Sequence, residues 1–352
     1  MGIIDGHIRR TVLMGTFIVM LVLLSLVTFI AFVEELGDRN EYYTFLQISH
    51  YISLTVPRRI HELIPTATLL GSLIGLGALA NQQEFIAMQA AGVARSRIII
   101  SVLKAGGIIV IASILLGEWI APKLETEAQA LKARAKTNKV ALGTEYGFWA
   151  RDGLTFINIR NVLTGAKLKD IYIYEVNESH QLRVSTHAET AYFEDGSWVL
   201  EGIEQSYIKP NGVRALKLEK AQWESLLDPE LMSFVVVEPE SLSVSGLYGY
   251  ANYLDSNGQD SHRYRVAMWS KITTPLDITL MLMLAVPFVL GSMRNVSIGN
   301  RILIGTLIGI SYYITDKAFD KIGTLYTLTP LVVFVPLILY AGLYYFFMRR
   351  LL

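Results

Sequence analysis

The feature that most constrains this chain is a series of long apolar segments. A helix needs about 20 mainly apolar residues to cross the roughly 30 Å hydrocarbon core of a bilayer. Composition agrees with such spans, because 52% of the 352 residues are hydrophobic and the mean hydropathy is +0.39. The sequence therefore predicts an integral membrane protein with six transmembrane helices in two groups of three. The six segments are 11–32, 63–80, 98–120, 267–290, 302–318 and 328–347.

The second apolar segment is rich in small residues. It contains Pro65 and the series Gly71, Gly75 and Gly77. In lipid, small residues at this spacing let two helix backbones approach closely, and they do so more often than they break a helix. We therefore expect a tight helix contact along this segment.

Arginines in the short flanks of the segments predict the orientation, because Lys and Arg accumulate in cytoplasmic loops. With six spans, four such flanks fall on one side, so both termini are predicted to be cytoplasmic. Arg58 and Arg59 lie on the opposite side, against the rule, but they do not outweigh four concordant flanks. The concordant arginines are Arg9, Arg10, Arg95, Arg97, Arg294, Arg301, Arg349 and Arg350.

The residues between the third and fourth apolar segments follow a different pattern. Short runs with a period of two predict strands at 155–159, 171–176, 191–193, 197–200, 204–208 and 234–237. Several short strands separated by turn sequences are typical of a β-sandwich or jelly roll. We expect three regions: 1–130 with spans one to three, 131–262 with the β domain and a return helix near 242–255, and 263–352 with spans four to six.

Motifs of catalysis and cofactor binding do not occur in the sequence. It contains no GxxxxGK[ST] nucleotide loop and no G-x-S-x-G elbow. His61 and Glu62 begin an HExxH-like string, but Pro65 takes the place of the second ligand. The chain has no cysteine and a formal net charge of zero. We expect no metal site, no cofactor bound by this chain and no nucleic-acid partner.

Ionisable side chains inside the spans are the first candidate functional residues. Charges are costly there and usually face a protein interior or a wet cavity. Asp277 lies inside the fourth span, six residues after Lys271. The outer end of the fifth span carries Asp316, Lys317, Asp320 and Lys321. The residues of both spans either line a polar substrate path or serve interhelical pairing and snorkelling.

The short cytoplasmic segment 81–92 is the second candidate. Phe85, Met88 and Gly92 share one face of a helix at i, i+3 and i+7, and Glu84 falls in the first turn, where the helix dipole favours an anion. A short amphipathic helix of this kind either fits a groove on a partner protein or lies on the membrane surface. The spacing leaves both interpretations open.

Several short strings carry a resemblance to a known family. Beyond the glycine-rich string 69–77, they are Met-Gln-Ala-Ala-Gly at 88–92, Gly-Glu-Trp-Ile-Ala-Pro at 117–122, Ser-Gly-Leu at 245–247 and Met-Trp-Ser-Lys-Ile at 268–272. Ser-Asn-Gly-Gln-Asp at 256–260 is followed by Arg263 and Tyr264. Over essentially its whole length the chain resembles the LptF/LptG family of lipopolysaccharide export permeases. The strings at 117–122 and 268–272 favour the LptG branch over the LptF branch.

The resemblance implies both a fold and a mode of action. Family members have three helices, a periplasmic β-jellyroll and three more helices. An LptG-like chain pairs with an LptF-like permease around an outward-facing cavity, which takes lipopolysaccharide from the outer leaflet of the Gram-negative inner membrane. An LptB-like ATPase dimer binds ATP and magnesium in the cytoplasm, and the single helix of an LptC-like protein inserts beside the first span. The jellyrolls pass the substrate to a periplasmic bridge, so the chain itself is no enzyme.

The resemblance also implies roles for the segment 81–92. In family terms it is the coupling helix that docks on the ATPase, with Glu84 facing a basic residue of the partner. The residues predicted to take part in this contact are Glu84, Phe85, Met88, Gln89 and Gly92.

Contacts with the substrate phosphates need basic side chains near the outer interface. In the family, such residues lie at the outer end of the first span, but here the stretch 34–39 has the single base Arg39. We therefore expect Arg39 to act together with Lys132 and Arg134 of the extension of span three. Lys317 and Lys321 are further candidates, beside the acyl-binding walls of spans one and five.

Two other classes of function stay open. A membrane-anchored lipid-modifying enzyme, with its active site in the β domain, predicts activity of the purified single chain. A secondary lipid transporter coupled to an ion through Asp277 or Asp316 predicts dependence on a proton or sodium gradient and no need for an ATPase.

Overall fold

The structure, a computed structural model, describes residues 2–37, 39, 43–137, 148–163, 167–179, 181–194, 197–209, 212–223, 239–290, 298–326 and 330–349. A π-helical turn, Leu116–Ile120, joins the fourth and fifth helices. Short 3-10 turns at Pro239–Ser241 and Pro330–Val333 precede the sixth and ninth. The helices are α1 (Ile3–Leu36), α2 (Phe45–Asn81), α3 (Glu84–Ala90), α4 (Arg95–Leu115), α5 (Ala121–Thr137), α6 (Val244–Ser256), α7 (His262–Leu290), α8 (Ile298–Leu325) and α9 (Phe334–Arg349).

Five helical segments of the described residues are long and apolar enough to cross a membrane. They coincide with five of the six predicted spans, so the membrane-helical character is confirmed. The sixth predicted segment, 302–318, lies within α8, which is 28 residues long. Its role as a span stays a prediction. The five segments are Ile3–Leu36, Phe45–Asn81, Arg95–Lys132, His262–Val289 and Leu331–Arg349.

Helices α1 and α2 touch at the level of their backbones. A Cβ atom at Gly71 would lie 2.3 Å from the Cα of Thr16, and one at Gly15 would lie 2.3 Å from the carbonyl oxygen of Gly71. A Cβ at Gly75 would lie 2.8 Å from the carbonyl oxygen of Thr11. Small residues permit such contact in lipid, where van der Waals packing replaces the hydrophobic effect between helices. The close packing predicted for this glycine series is confirmed.

The two arginines that contradict the charge rule have partners inside the protein. Arg58 pairs with Glu62 one turn away and with Glu125 of α5, each at 3.1 Å. Arg59 donates to the Thr55 hydroxyl at 3.2 Å. Because these charges serve internal contacts, they are weak evidence about which side of the membrane they occupy.

The β-rich insert is confirmed. Its strands pair in sequence order as one antiparallel sheet, with no second sheet among the strands that the structure describes. Alternation places Ile157, Ile171 and Trp198 in a core that Tyr250 and Leu254 of α6 complete. The strands are β1 (Phe148–Asp152), β2 (Thr155–Leu163), β3 (Lys167–Val176), β4 (Leu182–Glu194), β5 (Ser197–Lys209) and β6 (Gly212–Trp223).

The structure corrects the strand boundaries. The predicted strands 197–200 and 204–208 are a single strand, β5. Gly202 adopts a φ of +65°, which only glycine accepts readily, yet β5 keeps the same register with β4 on both sides of it. The outer strands β1 and β6 are not predicted from the sequence. Strand β6 is largely exposed and polar, so little buried apolar alternation marks it. The predicted strand 234–237 lies outside the described residues.

Candidate functional site: a polar cavity and a cytoplasmic helix

A polar cavity of about 470 Å³ opens between α2, α7 and α8, in the half of the helical bundle nearer the β domain. It collects residues that the sequence singles out separately, Asp277 on α7 with Asp316, Lys317 and Lys321 on α8. These α8 residues recur at i, i+1 and i+5, so one face of the helix presents them together. The described residues contain no group of three or more side chains suited to hold a metal ion.

Ion pairs inside the cavity neutralise part of its charge. The Nζ atom of Lys317 lies 3.8 Å from the carboxylate of Asp320, which also accepts a hydrogen bond of 3.1 Å from Ser270. At the mouth, Arg263 lies 3.8 Å from Glu240. The group at the end of α8 therefore lines the cavity and contains one ion pair within its own helix. The choice between a polar substrate path and interhelical pairing stays open.

Other charges of the cavity have no such pairing. Within the part of the chain that the structure describes, Lys271, Asp277 and Asp316 form no ion pair, although all three line the cavity. Asp277 is only 6% exposed and lies beside the buried Tyr312 and Thr273. Charged groups are costly inside a span, and polar neighbours such as Tyr312 and Thr273 offset part of this cost for Asp277. The cavity offers both signs of charge, an arrangement that can bind a polar or charged group.

The α2 side of this cavity is not predicted from the sequence. His61, Glu62, Pro65 and Thr66 all line it. His61 and Pro65 are four residues apart, as are Glu62 and Thr66, so all four share one helix face. This spacing is the sequence pattern from which their common orientation could have been predicted. In the sequence His61 and Glu62 suggest only an incomplete metal motif, which hides their common orientation.

The structure changes the interpretation of helix α3. Phe85 and Met88 are 5% and 9% exposed and belong to the core formed with α1, α2, α4 and α7. The apolar face of α3 therefore points into the chain's own bundle, and a contact of these two residues with a groove on a partner stays a prediction. The opposite face, with Ile86 and Gln89, is exposed.

Two further predicted residues of this segment have local partners. Glu84 lies 2.9 Å from the Nε2 atom of His7, which connects α3 to the start of α1. Gly92 has a φ of +84° and donates its N–H to Gln89, while Val93 donates to Met88. This is the usual glycine ending of a helix, so Gly92 is explained by its backbone conformation.

Among the side chains that the structure describes, the basic residues predicted for phosphate contacts do not form one group. Lys132 lies 2.5 Å from Glu35 and over the ring of Tyr51. Arg39 is exposed just beyond α1. Neither residue lines the cavity, whereas Lys317 and Lys321 do. Arg134 lies in α5, and its side chain is outside the described part of the chain.

The family model described as "Lipopolysaccharide export system permease LptF/LptG" matches residues 6–350. The chain belongs to the LptF/LptG permease family. It is 34% identical over 335 residues to the lipopolysaccharide export system permease protein LptG of Escherichia coli K12, which covers 94% of this chain and 93% of that protein. LptG of Haemophilus influenzae is 34% identical over 326 residues, or 92% and 91% of the two chains.

Membership of the LptF/LptG family confirms the resemblance that the short strings carry, including its preference for the LptG branch. It also assigns the apolar helices and the inserted β sheet to a multi-pass permease. An LptF/LptG permease belongs to a transport system, so family membership weighs against the lipid-modifying enzyme.

Proposed function

We propose that the chain is the LptG-type subunit of an ATP-driven lipopolysaccharide exporter in a Gram-negative inner membrane. The family match over residues 6–350 carries this proposal. The partners are an LptF-like permease, an LptB-like ATPase dimer that binds ATP and magnesium, and an LptC-like single-helix protein. Both termini are cytoplasmic and the β domain is periplasmic, where it hands lipopolysaccharide to a periplasmic bridge. The sequence has no P-loop, so in this proposal the partner hydrolyses ATP. This chain contributes the path for lipopolysaccharide and the surface on which the ATPase docks.

Exposed faces of α1 and α8 supply the apolar wall for acyl chains. Large side chains cover the outward surface of both helices, a pattern suited to lipid, a partner helix or the substrate. Phosphate groups of the substrate contact Lys317 and Lys321 in the neighbouring cavity, with Arg39, Lys132 and Arg134 as a second basic group. The exposed apolar residues include Phe17, Leu21, Leu26, Phe29, Leu303, Leu307, Ile310 and Ile314.

The docking surface for the ATPase lies on the outward face of α3. Glu84 is partly exposed, and Ile86 and Gln89 point away from the bundle. Phe85 and Met88 anchor the same helix in the core, so a push on α3 reaches α1, α2 and α4 directly. In this proposal the exposed face of α3 binds the ATPase, and the buried face passes the movement of the ATPase to the helical bundle.

Charge reversal of the docking helix tests the proposed function. In a complex formed with the LptF-like and LptB-like partners, Glu84→Arg is expected to weaken docking of the ATPase about tenfold, which corresponds to about 1.4 kcal/mol, and to lower lipopolysaccharide-stimulated ATP hydrolysis with it. His7→Ala is the matched control, because it removes the internal partner of Glu84 and keeps the carboxylate. Full activity and stable docking of Glu84→Arg would contradict the assignment of α3.

An ion-coupled transporter is the second candidate, favoured by Asp277 and Asp316, two cavity carboxylates that form no ion pair among the described residues. If the ATPase supplies the energy, Asp277→Asn is expected to keep ATP-driven export in proteoliposomes within about twofold of the parent. Collapse of the proton and sodium gradients is expected to leave export unchanged. Loss of export in either experiment would favour ion coupling over the ATP-driven mechanism.

A further inference from the structure

Glu118 joins the spanning helices to the segment that returns from the β domain. It lies in the π-helical turn between α4 and α5. Its carboxylate accepts three hydrogen bonds from the start of α6: the Val244 N–H at 2.8 Å, the Ser245 N–H at 3.1 Å and the Ser245 hydroxyl at 2.9 Å. The two partners are 126 and 127 residues apart in the chain.

This contact completes the N-terminus of α6. The first N–H groups of a helix have no acceptor within the helix and need one from elsewhere. Here Ser243 caps the Gly246 N–H at 3.1 Å, and Glu118 takes the N–H groups of Val244 and Ser245. A carboxylate at this end of a helix is also favoured by the helix dipole.

The π-helical turn sets the direction of Glu118. An extra residue in one turn changes which side chains face the protein, and such turns are frequent at functional positions. Gly117 faces α2 so closely that a Cβ atom would lie 2.4 Å from the Nε2 atom of His61. Trp119, on the next position, is exposed. Glu118 lies between these two directions and meets α6.

Helix α6 contacts both the bundle and the sheet. Leu247 belongs to a buried cluster with Ala267 and Met268 of α7. Tyr250 and Leu254 belong to the core of the sheet. The helix therefore lies between the membrane helices and the β domain, and whatever holds its N-terminus also positions the sheet.

The far end of α6 is fastened as well. The side-chain oxygen of Asn257 accepts a hydrogen bond of 2.8 Å from the N–H of Gly153, in the turn between β1 and β2. Asp255 pairs with Arg265 at the start of α7. Hydrogen bonds from Ser261 and Arg265 lower the pKa of the Asp255 carboxyl. Side-chain contacts therefore fix both ends of α6, the N-terminus to the π-helical turn and the C-terminus to the β1–β2 turn and the start of α7.

Three of the strings that carry the family resemblance meet at this place. Glu118 comes from the string 117–122, Ser245 from 245–247 and Met268 from 268–272. The hydrogen bonds of Glu118 join the first two, and the buried cluster of Leu247 and Met268 joins the last two. Sequence strings that are far apart therefore form one joint in space.

We propose that Glu118 is the positioning residue of a joint that fixes the β domain on the spanning helices, so that movement of α4 is transmitted through α6 to the sheet. The use of this joint in lipopolysaccharide export rests on the proposed function, whereas the joint itself does not. Glu118 acts in this role through α6, which engages both of its carboxylate oxygens.

Distance measurements test the joint directly. Because the sequence has no cysteine, Ile111→Cys on α4 and Glu178→Cys after β3 provide two unique spin-label sites in the full chain, in complex with its partners in nanodiscs. The parent is expected to give one narrow distance distribution. Glu118→Gln is expected to at least double its width, and Glu127→Gln, the same change on exposed α5 surface, is expected to leave it unchanged.

Coupling distinguishes a joint from a general folding role. In proteoliposomes, Glu118→Gln is expected to lower lipopolysaccharide released per ATP hydrolysed at least fivefold, while the hydrolysis rate stays within twofold of the parent. A folding defect would lower both together. Glu118→Asp, which keeps the charge, is expected to recover part of the coupling.

The outcomes separate the joint from the proposed function. An unchanged distance distribution in Glu118→Gln would overturn the joint. A parent complex without lipopolysaccharide-stimulated hydrolysis would overturn the proposed function and leave the distances as the test of the joint. If Glu118→Gln is not produced in the membrane, Ser245→Ala removes one of the three bonds and is expected to give an intermediate width. A parental width in Ser245→Ala would then count against the joint.

Discussion

Gly71→Ala is expected to separate α1 from α2 and to destabilise the fold, so that little folded protein is recovered from the membrane. The added Cβ would lie 2.3 Å from the Cα and 2.4 Å from the backbone N of Thr16. Neither atom belongs to a flexible side chain, so the two helices must move apart over their whole contact. Overpacking commonly costs about 1–3 kcal/mol, and a clash between two backbones belongs at or above the upper end of that range. The thermal midpoint in detergent, followed by size-exclusion fluorescence, measures the loss.

Gly107→Ala is the matched control for this experiment. It makes the same substitution in α4, where a Cβ atom would meet nothing within 4 Å. Alanine is the better helix former, by about 1 kcal/mol in an exposed helix interior, so this variant is expected to be neutral or slightly more stable. Equal stability of Gly71→Ala and Gly107→Ala would show that α1 and α2 are not in backbone contact.

The spans are predictable because few backbone conformations are stable inside a membrane. Backbone N–H and C=O groups in hydrocarbon must bond within their own segment, so a long apolar run is a helix. Length and hydropathy therefore identify five of the six segments as spans without any tertiary information. The β insert follows from its period of two, but Gly202 looks like a break in the alternation and instead lies inside β5.

Tertiary relations are harder to predict because a helical pattern shows which residues share a face and not what that face meets. Phe85 and Met88 share a face as expected, yet it packs into the chain's own core. Asp277 and Asp316 are recognisable as unusual residues, but only the packing of α7 against α8 puts them in one cavity. The acceptor role of Glu118 depends on Ser245, which lies 127 residues further along the chain.

The ion pair between Arg58 and Glu125 is a tertiary contact that changes how Arg58 is interpreted in the charge rule for membrane orientation. Arg58 counts as an exception to the charge rule when only its flank is considered. In the structure it neutralises Glu125, which is 1% exposed, at 3.1 Å. Glu125 also accepts a hydrogen bond of 2.8 Å from Gln129. The position of Arg58 is therefore explained by its ion pair with α5, whichever side of the membrane it occupies.

Arg58→Met is expected to destabilise the chain by about 3–5 kcal/mol, because it leaves the buried carboxylate of Glu125 without its cation. Unfolding in mixed detergent and dodecyl sulfate micelles measures this loss. The double variant Arg58→Met with Glu125→Met is expected to recover more than half of it, since it removes both charges and keeps the volume. Arg214→Met, at an exposed position of β6, is the control and is expected to change stability by less than about 0.5 kcal/mol. If the single and double variants lose the same stability, the packing of the arginine stem, rather than the ion pair, holds α2 against α5.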